Sequence, residues 1–401
     1  MNVVHISTTD CGGAFRATER INDALVHYGI DSKIIVRTKK SPKSDVCVII
    51  DSPIKSFFSK TKNFMNLILA KGLPIFCDYF GTDISKMIDV QNADVIVLHS
   101  VSNFISYKEL GKICDLGKPV LYVMHDMSIF TGGCIYDNYC EKYRERCGKC
   151  PVLHSNHEKD ITYYNQKIKK EIISKSKIKF IAPSRWIAEC SKNSSVLKEK
   201  DVFIIPNSID TNIFNIANNK TQIIREFGFK PCKKNILFGA TRATENPIKG
   251  FKYLCKALEF INLADKRLLI FGNEDNAVKE ILPRDLEIHF MGNINDDKKL
   301  VQLYNLADVF VAPSRQENYP GTVLEASSCG TPTVAFSIGG MPEIISHRNS
   351  GYLAQPFEAR DLAFGIQYCV EHSEKMGSKA REHIVENNTY NVIAEKYLAW
   401  F

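Results

Sequence analysis

The chain's densest run of chemically useful residues is Ser314-Arg315-Gln316-Glu317-Asn318-Tyr319-Pro320-Gly321-Thr322-Val323-Leu324-Glu325. It follows the apolar run Val309–Ala312, and Pro320 suits a first helical turn, where a missing N–H costs nothing. The N–H groups of Gly321, Thr322 and Val323 then point out of a helix start and form an anion site, reinforced by the helix dipole. Glu317 and Glu325 bracket that site. The helix between them would span about 12 Å, the order of the distance from a nucleotide's ribose to its attached sugar. Glu325 can accept from vicinal ribose hydroxyls, and Glu317 can reach the far end of an extended ligand. Spacing alone fits a capped helix with surface carboxylates equally well.

Other candidates stand at strand ends. Arg242 and Lys249 follow the apolar strand Asn235–Gly239, and cations near a strand's carboxyl end suit a diphosphate leaving group. Arg242 alone reads equally as a surface loop charge. Gly12 and Gly13 sit between the first strand and the first helix, where a glycine pair admits a ligand close to the backbone or simply makes a tight turn. His125-Asp126 closes the strand Val120–Met124, and His99 closes Val95–Leu98, with a cleft-lining or acceptor-side role open to it. Cys134, Cys140, Cys147 and Cys150 crowd one short stretch. Cys147-Gly148-Lys149-Cys150 has the spacing of half a zinc site, so a structural zinc and four free thiols are both open.

Together, the Glu317–Glu325 pair, the Tyr319-Pro320 turn, Cys329-Gly330-Thr331-Pro332 and Gly339-Gly340-Met341-Pro342-Glu343 resemble the second domain of GT-B glycosyltransferases of family 4. The resemblance covers nearly the whole chain. It implies retention of anomeric configuration and a nucleotide diphosphate sugar as donor. Glu317 and His125 would hold the transferred sugar, and Lys249, with Arg242, would neutralise the diphosphate. Asn318, Tyr319, Gly321, Thr322, Val323 and Glu325 would complete the donor site, with Gly12 and Gly13 lining the cleft opposite the phosphates. Arg242 departs from the family's usual placement of its arginine, directly after a glycine and nearer the lysine. Fixed cations would take the place of a catalytic divalent metal, and the chain has no Asp-x-Asp triplet. The stretch from Phe130 to Pro151 looks like an insert of glycosyltransferases that build bacterial surface polysaccharides.

The elements that must position these residues alternate. Strands read at Asn2–Ser7, Ser32–Arg37, Val46–Ile50, Val95–His99 and Pro119–His125, with helical spacing between them, as in Phe15–Tyr28. The rhythm restarts at Asn235–Gly239, Arg267–Phe271, Glu287–Met291, Val309–Pro313 and Thr333–Phe336. Such alternation predicts α/β architecture, here two doubly wound Rossmann-like domains facing a cleft. Residues 1–205 form the acceptor-side domain with the Cys-rich insert 130–151, and residues 206–232 a polar linker. Residues 233–380 form the nucleotide-sugar domain, and 381–401 a C-terminal helix that, by the resemblance, packs back on the first domain. Pro53–Gly72 carries lysines, no acidic residue and an apolar face of Ile54, Phe57, Phe58, Phe64, Met65, Ile68 and Leu69. It suits either an interfacial helix on an anionic membrane or a core-facing helix with a basic rim.

The chain has 401 residues, 44% of them hydrophobic and 24% charged, which is ordinary for a globular protein and too apolar for a disordered one. No apolar run reaches membrane-spanning length, and the start lacks the marks of a signal peptide. The net charge of +7 favours an anionic partner such as a nucleotide, but there is no basic stripe with interleaved aromatics, so nucleic acid is not expected. An odd count of 13 cysteines suits a reducing cytosol. The expectation is a cytoplasmic glycosyltransferase, peripheral on the inner face of the plasma membrane. It would act on an oligosaccharide or lipid-linked glycan acceptor of surface-polysaccharide type. A GT-B epimerase or phosphorylase, and a non-catalytic sugar-nucleotide-binding subunit, are the alternatives.

Overall fold

The computed structural model describes the chain except for residues 41–45, 49–60, 63, 71, 218, 231–232, 240–243, 264, 273–281 and 284–285. The chain divides into two compact units, Met1–Asn207 with Ile393–Phe401, and Ser208–Val392.

The first unit is built on a parallel sheet of order β3-β2-β1-β4-β5-β6-β7. These strands are β1 (Asn2–Thr9), β2 (Asp31–Thr38), β3 (Val46–Val48), β4 (Val95–Leu98), β5 (Val120–Val123), β6 (Lys179–Ala182) and β7 (Val202–Ile204). The central strands are apolar on both faces, as a sheet covered by helices on each side requires. One face packs Val4, Ile6, Ile96, Leu98, Tyr122 and Phe180 into the larger core. The alternate residues Val3, Val95, Val97, Leu121 and Val123 face Ile21 and Leu25 of helix Gly13–His27, together with Ile393, Ala394 and Tyr397 from the end of the chain. Of the tail read as helix 381–401, this last part belongs to the first unit. Arg381 and Ile384 instead fold with the second, where the Arg381 guanidinium donates to the carbonyls of Phe214, Thr211 and Ser328.

The second unit carries a parallel sheet of order β10-β9-β8-β11-β12-β13. Its strands are β8 (Lys234–Gly239), β9 (Lys266–Phe271), β10 (Glu287–Gly292), β11 (Val309–Ala312), β12 (Thr333–Phe336) and β13 (Gly351–Ala354). Both sheets step outward from a central strand and reverse order there, which puts their switch points beside β1 and β8. The stretch 206–232 corrects the linker expectation. Ile209, Phe214, Ile223 and Ile224 are buried in one core with Leu237, Leu269 and Phe310, so this polar-looking segment is part of the second unit. Its buried apolar residues are spaced too widely among polar ones to read as a core element. Among the described residues, no helix is long and apolar enough to cross a membrane.

Candidate active site

In the second unit, β8 and β11 lie side by side and run parallel, so their carboxyl ends deliver two loops to one edge. The loop after β8 reaches Lys249 through a single 3-10 turn, Pro247–Lys249, capped by the Asn246 side chain, which accepts from the Ile248 amide at 3.0 Å. The loop after β11 carries Ser314 and Glu317. The two loops are tied by an Arg315 N–H to Ile248 carbonyl hydrogen bond of 2.7 Å. Gly250 has φ 71°, and a Cβ there would overlap the Pro313 carbonyl, so only glycine lets the loops approach this closely.

The result is an ion pair. Lys249 Nζ lies 2.7 Å from Glu317 Oε2, and the Ser314 hydroxyl donates to the same oxygen at 3.3 Å. Both charged side chains are largely withdrawn from water, at 27% and 11% exposure, so the pair is stronger than a surface contact and more costly to break from one side. Gly239, Lys249, Ser314, Glu317, Pro320 and Thr322 line one cavity. From the far side Gly339, with φ 54°, packs its backbone onto Glu317, and the Gly340 amide donates to the Glu317 carbonyl at 3.2 Å.

The helix expected after Pro320 is Gly321–Ser328, with Pro320 as its extended N-cap. The anion cradle is narrower than the sequence suggested. The Val323 amide turns back to the Pro320 carbonyl at 3.2 Å, which leaves Gly321 and Thr322 at the open end. Tyr319 is a further correction. Its ring is buried in the core of the unit and its hydroxyl accepts from Asn388 at 3.1 Å, so it anchors the turn from inside. Asn318 is buried too. Glu325 is buried outside the cavity and accepts from the Tyr304 hydroxyl at 2.8 Å. Arg242 lies outside the described residues.

In the first unit, Gly12 caps helix Gly13–His27 with φ 89°, and a Cβ on Gly12 or Gly13 would meet open space. His125 and His99 belong to a row of imidazoles that begins at a residue the sequence did not single out. His5 Nδ1 lies 2.8 Å from His99 Nε2, and His99 Nδ1 lies 2.9 Å from His125 Nε2. The rings stack at 5.1 and 5.2 Å. Register explains the row. His5 pairs with Val97, two residues before His99, and Leu98 pairs with Tyr122, so each histidine stands two residues further toward the carboxyl edge than its neighbour, on one face of the sheet. His5 and His99 are fully buried, whereas His125 is half-buried. No local spacing could reveal His5, because the row exists only across strands.

Beside it, burial raises Asp126 and pushes Asp78 up to about 6, while the Lys169 ammonium pulls both back down. Lys169, itself lowered by burial, donates to the carbonyls of Ser128 and Thr131 at 2.6 and 3.1 Å. Asp78 and Lys169 also went unread in the sequence. A lone carboxylate and a lone lysine on a polar helix carry no signal until folding buries them.

Cys134, Cys140, Cys147 and Cys150 line one cavity. Even so, among the described residues no group of His, Cys, Asp or Glu side chains closes tightly enough to hold a metal ion, so the structure does not fit the zinc reading. The turn is held by other means. The Cys147 amide donates to Gln166 Oε1 at 2.6 Å and the Cys150 amide to Asp160 Oδ2 at 2.9 Å. Cys134 donates to Cys150, which raises the first thiol and lowers the second, and burial pushes Cys147 up to about 12.

Residues 233–372 match the family described as glycosyl transferases group 1. The second unit is a glycosyl transferases group 1 domain. The chain is 33% identical over 208 residues to an uncharacterized glycosyltransferase of Methanocaldococcus jannaschii, covering 50% of this chain and 51% of that one. It is 30% identical over 171 residues to the N,N'-diacetylbacillosaminyl-diphospho-undecaprenol alpha-1,3-N-acetylgalactosaminyltransferase of Campylobacter jejuni, covering 41% of this chain and 44% of that one. The chain thus spans about half the length of the relatives it matches. The Anabaena protein HepE, solved in complex with UDP-glucose, superposes with a TM-score of 0.69 at 17% identity over 100% of both chains, which shows a shared GT-B fold.

Proposed function

We propose that the chain is a retaining glycosyltransferase that moves a sugar from a nucleotide diphosphate donor to a glycan acceptor, lipid-linked and of surface-polysaccharide type. The Lys249–Glu317 pair beside the open start of helix Gly321–Ser328, inside a group 1 domain, carries the reading. Without ligand, Glu317 holds the ammonium that a diphosphate needs. The arriving diphosphate takes Lys249 and the Gly321 and Thr322 amides, and Glu317 is released to accept from hydroxyls of the donor sugar. As the sugar–phosphate bond lengthens, Lys249 stabilises the charge that builds on the departing oxygen. A phosphate oxygen takes the proton of the incoming hydroxyl on the same face, so the new bond keeps the old configuration. His125 is assigned to the transferred sugar and Glu325 to the ribose end.

HepE's complex with UDP-glucose supports a nucleotide sugar donor, and the undecaprenol-linked substrate in the name of the Campylobacter relative supports a lipid-linked acceptor. The described part of the Pro53–Gly72 stretch favours the membrane reading over the core-facing one. Phe64, Leu67 and Ile68 are 61%, 53% and 58% exposed, while Asn66 pins the segment to the Phe80 backbone. Ile54, Phe57 and Phe58 lie outside the described residues.

The test is incubation with a panel of nucleotide sugars, with and without lipid-linked oligosaccharide, followed by anomeric analysis of the product. Transfer with retained configuration supports the proposal. Donor turnover to an epimer or a sugar phosphate points to the epimerase or phosphorylase alternative, and binding without turnover to a non-catalytic subunit.

A further inference from the structure

The row His5–His99–His125 has a direction. A neutral imidazole carries one N–H and one lone pair. His99 spends both ring nitrogens inside the row, so its proton faces either His5 or His125, and the neighbours must follow. Burial keeps the rings neutral. It lowers His5 to about 3, lowers His125, and with both neighbouring imidazoles takes His99 well below the ordinary histidine range. The protons therefore sit either all on Nε2 or all on Nδ1.

The buried end of the row decides between these states. His5 Nε2 is enclosed and has no polar partner among the described residues. A proton there would be a buried N–H without an acceptor, at a cost on the order of 1–3 kcal/mol. A lone pair there is the milder deficit, because unmatched buried acceptors are better tolerated than unmatched N–H groups. His5 then donates from Nδ1 to His99 Nε2, and His99 donates from Nδ1 to His125 Nε2. The proton of His125 is left on its own Nδ1.

We propose that His5 and His99 are positioning residues that hold His125 as the Nδ1–H tautomer, which makes it a hydrogen-bond donor toward a sugar hydroxyl. The tautomer stands on the geometry of the row, whereas its direction toward a sugar rests on the role given to His125 above. Free histidine favours the proton on Nε2, so the enforced state is the unusual one and leaves a spectroscopic signature.

Nitrogen-15 NMR of the histidine-labelled full chain at neutral pH reads it directly, with single variants for assignment. All three rings should report Nδ1–H, and an Nε2–H signal from His125 in the folded chain overturns the proposal. In His99→Phe the row is cut, and His125 should return to mostly Nε2–H. If it stays Nδ1–H, something other than the row sets its tautomer and the proposal fails. His99→Asn, whose amide N–H replaces the imidazole Nδ1–H, should restore the wild-type signal. By calorimetry, His99→Phe should leave UDP affinity unchanged and weaken UDP-glucose about tenfold, the scale of one lost hydrogen bond. Equal weakening of both ligands contradicts a sugar-directed role. If the wild-type chain binds neither ligand, the sugar-directed half fails along with the donor reading, while the NMR result stands by itself.

Discussion

At the scale of the residue, Lys249 and Glu317 matter because each restrains the other. Lys249→Ala removes the charge partner of the leaving diphosphate, and steady-state kinetics should show kcat/KM falling about a hundredfold or more. It also takes the ammonium from a largely buried Glu317 carboxylate, so thermal unfolding should register a loss of about 1–3 kcal/mol. Turnover close to that of the parent chain would remove Lys249 from the chemistry. Both members of the pair were legible as residues, but not as a pair, since 68 positions separate them. Tyr319 shows the opposite failure. A tyrosine in a polar loop reads as a ligand contact, and only the packing shows that its ring faces the core.

At the scale of the element, the loops are held apart or together by backbone that accepts glycine alone. Gly339 sits at φ 54° with its Cα against the Glu317 carbonyl, so Gly339→Ala must push the Glu317 loop away. Transfer should drop at least tenfold while the fold persists, which circular dichroism can confirm alongside the assay. Unchanged kinetics would mean that the loop position is immaterial. Ten strands were readable from apolar runs between turn signals, but Lys179–Ala182, Val202–Ile204 and Gly351–Ala354 were not. Lys179 and Gly351 break into the apolar runs of two of them, and Val202–Ile204 follows directly on the charged stretch Lys198-Glu199-Lys200-Asp201. The cysteine turn misled for another reason. Its spacing resembles a metal half-site, yet among the described residues the side chains do not close into a ligand set, which spacing along the chain does not reveal.

At the scale of the whole molecule, the chain's end is part of its first unit. Tyr397 is fully buried with Val3, Ile21 and Leu25, and Trp400 stacks on Phe203 with centroids 3.5 Å apart. Tyr397→Ala should cost about 3–5 kcal/mol in denaturant unfolding. Tyr397→Phe should be neutral or stabilising, because the buried hydroxyl has no partner among the described residues. A large loss in the phenylalanine variant would mean the hydroxyl is satisfied after all. Toward a membrane, Phe64→Ser with Ile68→Ser should reduce sedimentation with vesicles of anionic phospholipid and leave transfer to a water-soluble acceptor unaffected. Unchanged vesicle binding would discard the interfacial role. The account as a whole depends on the second unit gripping a diphosphate, and isothermal titration with UDP, GDP and ADP measures that grip directly. At least one nucleotide should bind, at least tenfold more weakly in Lys249→Ala and more tightly in Glu317→Gln, where the competing carboxylate is gone. No binding to any of them, or binding indifferent to both substitutions, would contradict the account.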